Sequence, residues 1–188
     1  MPPKHNGVGK SSYDLIDPTT FMTALNLGED AVLLDAACGA GNYAIEIGRR
    51  IGAKGKVVAF DRWEEGIDQL KRKAGALRLE NIRAAVCDLS EKLPLENHSV
   101  DICLLATVLH HLVEEDAHGV SMKEIVRVLK PNGRLAVVEF KKIPGPPGPP
   151  EKMRLSPEDL NKILTPMGFM PLDTVELGPA TYLTLFQL

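Results

Sequence analysis

Three aspartates stand at, or just after, the ends of short apolar runs. Asp35 closes AVLLD (31–35), Asp61 closes KVVAFD (56–61), and Asp88 follows Ile82–Cys87. Between the first two lies Asp35-Ala36-Ala37-Cys38-Gly39-Ala40-Gly41-Asn42. Its glycines can adopt backbone conformations, and admit a ligand, that a Cβ would block. Short apolar runs bounded by turn residues are the pattern of buried parallel strands. Ligands of open α/β sheets bind beyond the carboxyl ends of such strands. The three carboxylates therefore gather on one ligand-binding edge.

The charge of that edge narrows the ligand. A carboxylate four residues before Gly39 repels a pyrophosphate and attracts a cation. Asp61, 22 residues after Gly39, is placed to accept from both hydroxyls of a ribose. Asp88 can accept from an exocyclic adenine amine, with the Leu89 N–H beside it. An adenosine that carries positive charge and no phosphate suits all three. S-adenosylmethionine (SAM), with its ammonium and sulfonium, is such a molecule. Gly7-Val8-Gly9-Lys10-Ser11 looks like the end of a phosphate-binding loop, but Lys4 stands where that pattern needs glycine and no strand can precede it.

A second group lies further along. His110 and His111 follow the fourth apolar run, and Glu139 lies near the end of the fifth. These three are the candidates for a general base or a substrate contact. Glu139 could instead belong to an exposed rim with Lys141 and Lys142. The pairs His110/Glu114 and His111/Glu115 have the i, i+4 spacing of metal ligands, but no third ligand is evident, and no metal is expected. Cys38, Cys87 and Cys103 read as structural thiols.

The elements that position these groups alternate. Strands are expected at 31–35, 56–61, 82–87 (an edge), 100–105 and 135–140. Helices are expected from Asp17, over 41–51, over 64–77 and over 122–129, with Lys130-Pro131-Asn132-Gly133 as a turn. Ile143–Pro150 holds five of the chain's 14 prolines and reads as a stiff, polyproline-like connector. Ser156-Pro157-Glu158-Asp159 is a helix start. Leu172–Leu177 and Tyr182–Leu188 read as an antiparallel pair. The fold class is a doubly wound α/β sheet with a terminal hairpin.

These segments resemble the class I SAM-dependent methyltransferases. The likeness is carried by LLDAACGAGNYA (33–44), VVAFDRWEEGI (57–67), AAVCDLSEKLPL (84–95), DICLLATVLHHL (101–112) and VLKPNGRLAVVEF (128–140). The His pair and the Lys-Pro-Asn-Gly-Arg turn are similar to the ubiquinone/menaquinone-biosynthesis (methyltransferase type 11) branch. The resemblance implies a Rossmann-like seven-stranded sheet, order 3-2-1-4-5-7-6, with strand 7 antiparallel. It implies SAM contacts from Asp35, Gly39, Gly41, Asp61, Asp88 and the strand-four end near Ala106. Ala37, Leu89 and Arg62 complete the expected contact set. Arg62 is a departure from the pattern: its charge could read a 2′-phosphate, though solvent suits it better. Lids in that branch often follow strand five, where this chain has only the short connector. A lid is therefore expected from the N-terminal helix, a second subunit or the substrate.

Composition bounds the rest. The chain has 188 residues, 22 basic against 25 acidic, and 44% hydrophobic residues. That suits one domain over 13–188 behind a disordered tail over 1–12. A formal charge of −3 gives no nucleic-acid signal. No run is long enough to span a membrane, no secretory signal opens the chain, and three cysteines point to a reducing cytoplasm. A small-molecule substrate and a possible homodimer are expected. The competing readings are a SAM- or nucleotide-binding module without catalysis and a small NAD(P)-dependent oxidoreductase.

Overall fold

Alternation of apolar and amphipathic segments builds the sheet. The structure, a computed structural model, describes residues 11–52 and 54–188. In chain order the elements are α1 (Pro18–Leu25), β1 (Val32–Ala36), α2 (Asn42–Arg50), β2 (Lys56–Asp61), α3 (Glu64–Ala76), β3 (Ile82–Val86), β4 (Val100–Ala106), α4 (Leu109–Glu114), α5 (His118–Val128), β5 (Leu129–Phe140), α6 (Pro157–Leu164), β6 (Met170–Glu176) and β7 (Thr181–Gln187). The sheet order is β3-β2-β1-β4-β5-β7-β6, as expected. The first five strands pair in parallel, and β7 runs antiparallel to both β5 and β6. Side chains alternate across the sheet, so each strand feeds two cores. Leu34, Cys103 and Val137 pack with α5 and α6, while Leu33, Ile102 and Val138 pack with α1 and α2. No helix among the described residues is long and apolar enough to cross a membrane.

Local signals hold at the helix starts. Asp17 caps α1 by accepting from the Thr20 N–H at 2.6 Å. Ser156 and Asp159 form a reciprocal capping box at α6, with Pro157 at the first helical position. Gly41 caps α2 in the left-handed region, and a Cβ there would sit 2.3 Å from Leu70 Cδ1. Gly41→Ala combines left-handed strain with overpacking. Urea unfolding is expected to show a loss of about 2–4 kcal/mol.

The structure departs from sequence expectation in four places. Lys130–Gly133 is not a free turn after a helix: β5 begins at Leu129, and Asn132, at φ 62°, lies in a looped-out stretch between Leu129 and Arg134. That stretch falls between pairings to Val100 and Ile102, two residues apart on β4. Helix α5 starts at His118 rather than Met122, and the His pair lies on a short helix of its own, α4. Ser12, placed in the tail by composition, is 3% exposed and hydrogen-bonded; residues 1–10, with most of the phosphate-loop lookalike, lie outside the described residues. The proline connector is not an extended spacer. It curls around Arg154, with Gly145 and Gly148 at positive φ. Edge strand β6 has six exposed residues out of seven, carries Pro171, and has a pairing irregularity between Pro171 and Asp173.

Candidate active site

The site lies where β1, β2 and β4 end. Asp35, on β1, is 1% exposed, and neither carboxylate oxygen has a hydrogen-bond partner. Burial first, and the nearby charge of Asp61 second, push its pKa up to about 7. The Ala44 N–H pulls weakly the other way without closing a hydrogen bond. A buried carboxylate left unpaired is costly, and such a group calls for a cationic partner.

The glycine loop is tied down around it. Asp61 Oδ2 accepts from the Gly39 N–H at 2.7 Å, and Oδ1 accepts from the Trp63 N–H at 2.8 Å. The Cys38 N–H donates to the Phe60 carbonyl. Gly39, at φ 55°, has nothing within 4 Å of where a Cβ would stand, so open space adjoins the loop. Asp88 Oδ1 accepts from both the backbone N–H and the hydroxyl of Ser90, at 2.8 and 2.7 Å. Burial pushes the Asp88 pKa up, but those two hydrogen bonds and Arg62 outweigh it and hold the group below its ordinary value. Leu89 beside it is buried in the core. The Arg62 guanidinium stands half exposed, 3.6 Å from Glu115. A carboxylate thus competes for the charge that could have read a 2′-phosphate.

Backbone strain marks the same edge. Ala37 has φ 61° and Thr107 has φ 53°, just beyond the paired strands β1 and β4. Thr107 is β-branched, for which this region is a true outlier costing about 1–3 kcal/mol. Its hydroxyl shares a hydrogen bond with Ser12 Oγ at 3.2 Å, and Ser12 Oγ shares another with the Tyr43 hydroxyl at 2.9 Å. Ala106, the last residue of β4, pairs with Val138.

Beyond Thr107 opens a cavity of about 810 Å³. Thr107, His110, His111, Phe140, Met153 and residues 147–150 of the connector are among the residues that line it. Its charged lining residues among the described ones, Asp14 and Glu114, are both acidic and exposed, and none of the described Lys or Arg residues lines it. The connector therefore walls the cavity, which was not expected of it, together with Ser11, Ser12, Asp14 and Leu15 of the N-terminal segment, which precede the helix expected to cover the site. Glu139 is 0% exposed and does not line the cavity, so it is no exposed rim. It lies behind His110: Oε1 accepts from the His110 backbone N–H at 3.1 Å, and Oε2 pairs with His110 Nδ1 at 2.7 Å. A carboxylate accepts, which assigns the proton to Nδ1 and leaves Nε2 as the free acceptor of the neutral ring. The His111 ring lies 4.3 Å from it. Burial first, then His110, keep the His111 pKa below its ordinary value.

Comparison with known proteins now decides the family. The model of the methyltransferase-domain family matches residues 33–133, more than half of the chain. The chain belongs to the class I SAM-dependent methyltransferases. A solved SAM-dependent methyltransferase from Aquifex aeolicus superposes with a TM-score of 0.85 and 29% identity, over 96% of this chain and 94% of that one. A ubiquinone/menaquinone biosynthesis C-methyltransferase (UbiE) from Idiomarina loihiensis is 32% identical over 116 residues, 58% of this chain and 43% of the relative. The UbiE of Bordetella parapertussis is 32% identical over 135 residues, 67% of this chain and 49% of the relative. The methyltransferase chain thus spans less than half the length of these curated relatives. Its own residues fit SAM: an unpartnered buried carboxylate that suits the ammonium, and open space beside Gly39.

Sequence reasoning missed Ser12, Thr107, Phe140 and Met153 as site residues. Ser12 carries no signal, sitting in a polar, proline- and glycine-rich segment. Thr107 directly follows Ala106, the expected contact at the end of β4, while Phe140 and Met153 flank the connector that shares the cavity with them.

Proposed function

We propose that this methyltransferase transfers the methyl group of SAM to a small, uncharged or cationic molecule held in the 810 Å³ cavity. The observation that carries the reading is Asp35, buried and unpartnered at the cofactor edge. Its carboxylate binds the ammonium of SAM. Asp61, held by the Gly39 and Trp63 N–H groups, accepts from the ribose hydroxyls on its remaining lone pairs. Asp88 and Leu89 meet the adenine; Ala37, Gly39, Gly41 and Ala106 shape the floor. Arg62 stands at the rim.

When bound, SAM supplies a methyl group already activated by the sulfonium. The protein's work is alignment and exclusion of water, which can supply roughly 7–11 kcal/mol. His110 Nε2 takes the acceptor's proton, and Glu139 holds the ring in the tautomer that can do so and stabilises the imidazolium that results. His111 stays neutral and packs against that ring. The volume supports a small molecule. The acidic rim supports a neutral or cationic one.

Differential scanning fluorimetry tests the cofactor. Saturating SAM is expected to raise Tm by several degrees, since a ligand at a hundred times its Kd stabilises by about 2.7 kcal/mol. NADPH is expected to leave Tm unchanged; the reverse result would transfer the chain to the oxidoreductase reading. SAM binding with no radiolabelled product from a panel of phenols and amines would favour a module without catalysis.

A further inference from the structure

We infer that Arg154 is the template of the acceptor cavity's wall, and so a positioning residue for acceptor specificity. The inference rests on the reading of that cavity as the acceptor site. Arg154 is 2% exposed and no acidic group bonds its guanidinium. All five of its N–H donors are used, and every partner is a backbone carbonyl. Nε donates to Pro149 at 2.9 Å. Nη1 donates to Lys141 and Ile143 at 3.1 and 2.7 Å, and Nη2 to Gly145 and Pro147 at 2.5 and 2.9 Å. The acceptors are alternate residues from 141 to 149, so the chain winds around one cation.

The sequence explains why a cation is needed. Prolines have no N–H, so a segment reading IPGPPGPP has carbonyls to satisfy and few donors to satisfy them. It cannot form strand or helix with itself. A buried guanidinium supplies the missing donors in a planar fork. The same guanidinium sits 5.9 Å from the centroid of the Phe140 ring, and Gly148, at φ 101°, packs so closely that a Cβ would lie 2.6 Å from Phe140 Cδ1. Phe140, Pro147, Gly148, Pro149, Pro150 and Met153 all line the cavity. Arg154 touches none of the groups expected to meet SAM.

The test uses the full chain, with Arg154→Ala and Arg154→Lys beside the wild type. Amide hydrogen exchange monitored by mass spectrometry should show the loss confined to 141–154. Exchange there is expected to rise roughly tenfold or more in Arg154→Ala, because several charge-assisted hydrogen bonds are lost together. The strands should keep their protection, and SAM affinity should stay within about twofold by calorimetry. Free guanidinium at non-denaturing millimolar concentration should restore the protection in Arg154→Ala, while equal ammonium should not. Arg154→Lys, with three donors for five carbonyls, should recover only part of it. With a phenol that the wild type methylates, KM should rise in Arg154→Ala more than kcat falls. Unchanged protection over 141–154, or equal loosening of sheet and connector, would overturn the inference. Failure of the wild type to methylate any panel member would instead strike the acceptor-site reading, leaving exchange and guanidinium rescue to judge Arg154 alone.

Discussion

Asp35→Asn is expected to bind SAM roughly a hundredfold more weakly than the wild type, or worse, while folding at least as well. A charge-assisted contact in a buried site is worth about 3 kcal/mol, and 1.4 kcal/mol is tenfold in affinity. The lost interaction is with the ligand alone, because neither carboxylate oxygen is bonded within the protein. The unliganded protein also holds a pH signature. The Asp35 pKa, about 7 when folded, lies above the ordinary 3.8. Such a group favours the folded state most below the unfolded value, and that contribution is lost as pH rises from about 4 through about 7. Urea titrations of wild type and Asp35→Asn should therefore diverge across this window, the variant gaining on the wild type. SAM affinity should run the other way. It falls as pH drops below about 7, since the ammonium needs the carboxylate and binding must release a proton. Calorimetry in buffers of different ionisation enthalpy will show that proton. Tight, pH-independent binding of SAM to Asp35→Asn would remove the carboxylate from the cofactor site.

His110→Ala is expected to lower kcat by about 10²–10⁴ on a protic acceptor and to leave SAM affinity unchanged. The ring lines the cavity while its Nδ1 is committed to Glu139, so only Nε2 is available for proton transfer. Glu139→Gln should lower kcat as well, by disturbing the tautomer, although Glu139 does not line the cavity. Single-turnover assays with SAM bound give the decisive readout: the chemical step itself should slow in His110→Ala by about the same factor as kcat. Equal rates for the variant and the wild type would reduce catalysis to alignment and leave the His110–Glu139 pair a structural bond.

Much of this architecture was legible in the residues, for identifiable reasons. Four of the five parallel strands are runs rich in Val, Leu, Ile and Ala, and burial on both faces writes that pattern directly; the edge strand β3, which contains Arg83 and no buried residue, carries it more weakly. Ser156-Pro157-Glu158-Asp159 announced α6 because a cap is a local event among four residues. Asp35, Gly39 and Asp61 could be placed together because each is fixed by a strand end and the sheet order brings those ends side by side. What stayed hidden depends on distant partners. Nothing near Ser12 foretells its hydrogen bond to Thr107, 95 residues on. The role of Glu139 turns on whether α4 brings His110 above it, and α4 is only six residues long. The proline segment reads as a rod until its unmet carbonyls are set against the arginine four residues beyond its last proline.

The outer border of the sheet has a further consequence. Strand β6 leaves one side without a neighbour, and its residues are nearly all in solvent. Such a border is a seed on which identical chains could stack into fibres. Pro171 withdraws one donor from the line, and the irregularity between Pro171 and Asp173 breaks its spacing. Asp173 and Glu176 add like charges that a second copy would have to face. Met170 and Leu172, both well exposed, sit within this guarded stretch. Pro171 and the irregularity beside it thereby work against edge-to-edge pairing of two copies, an effect wholly separate from methyl transfer.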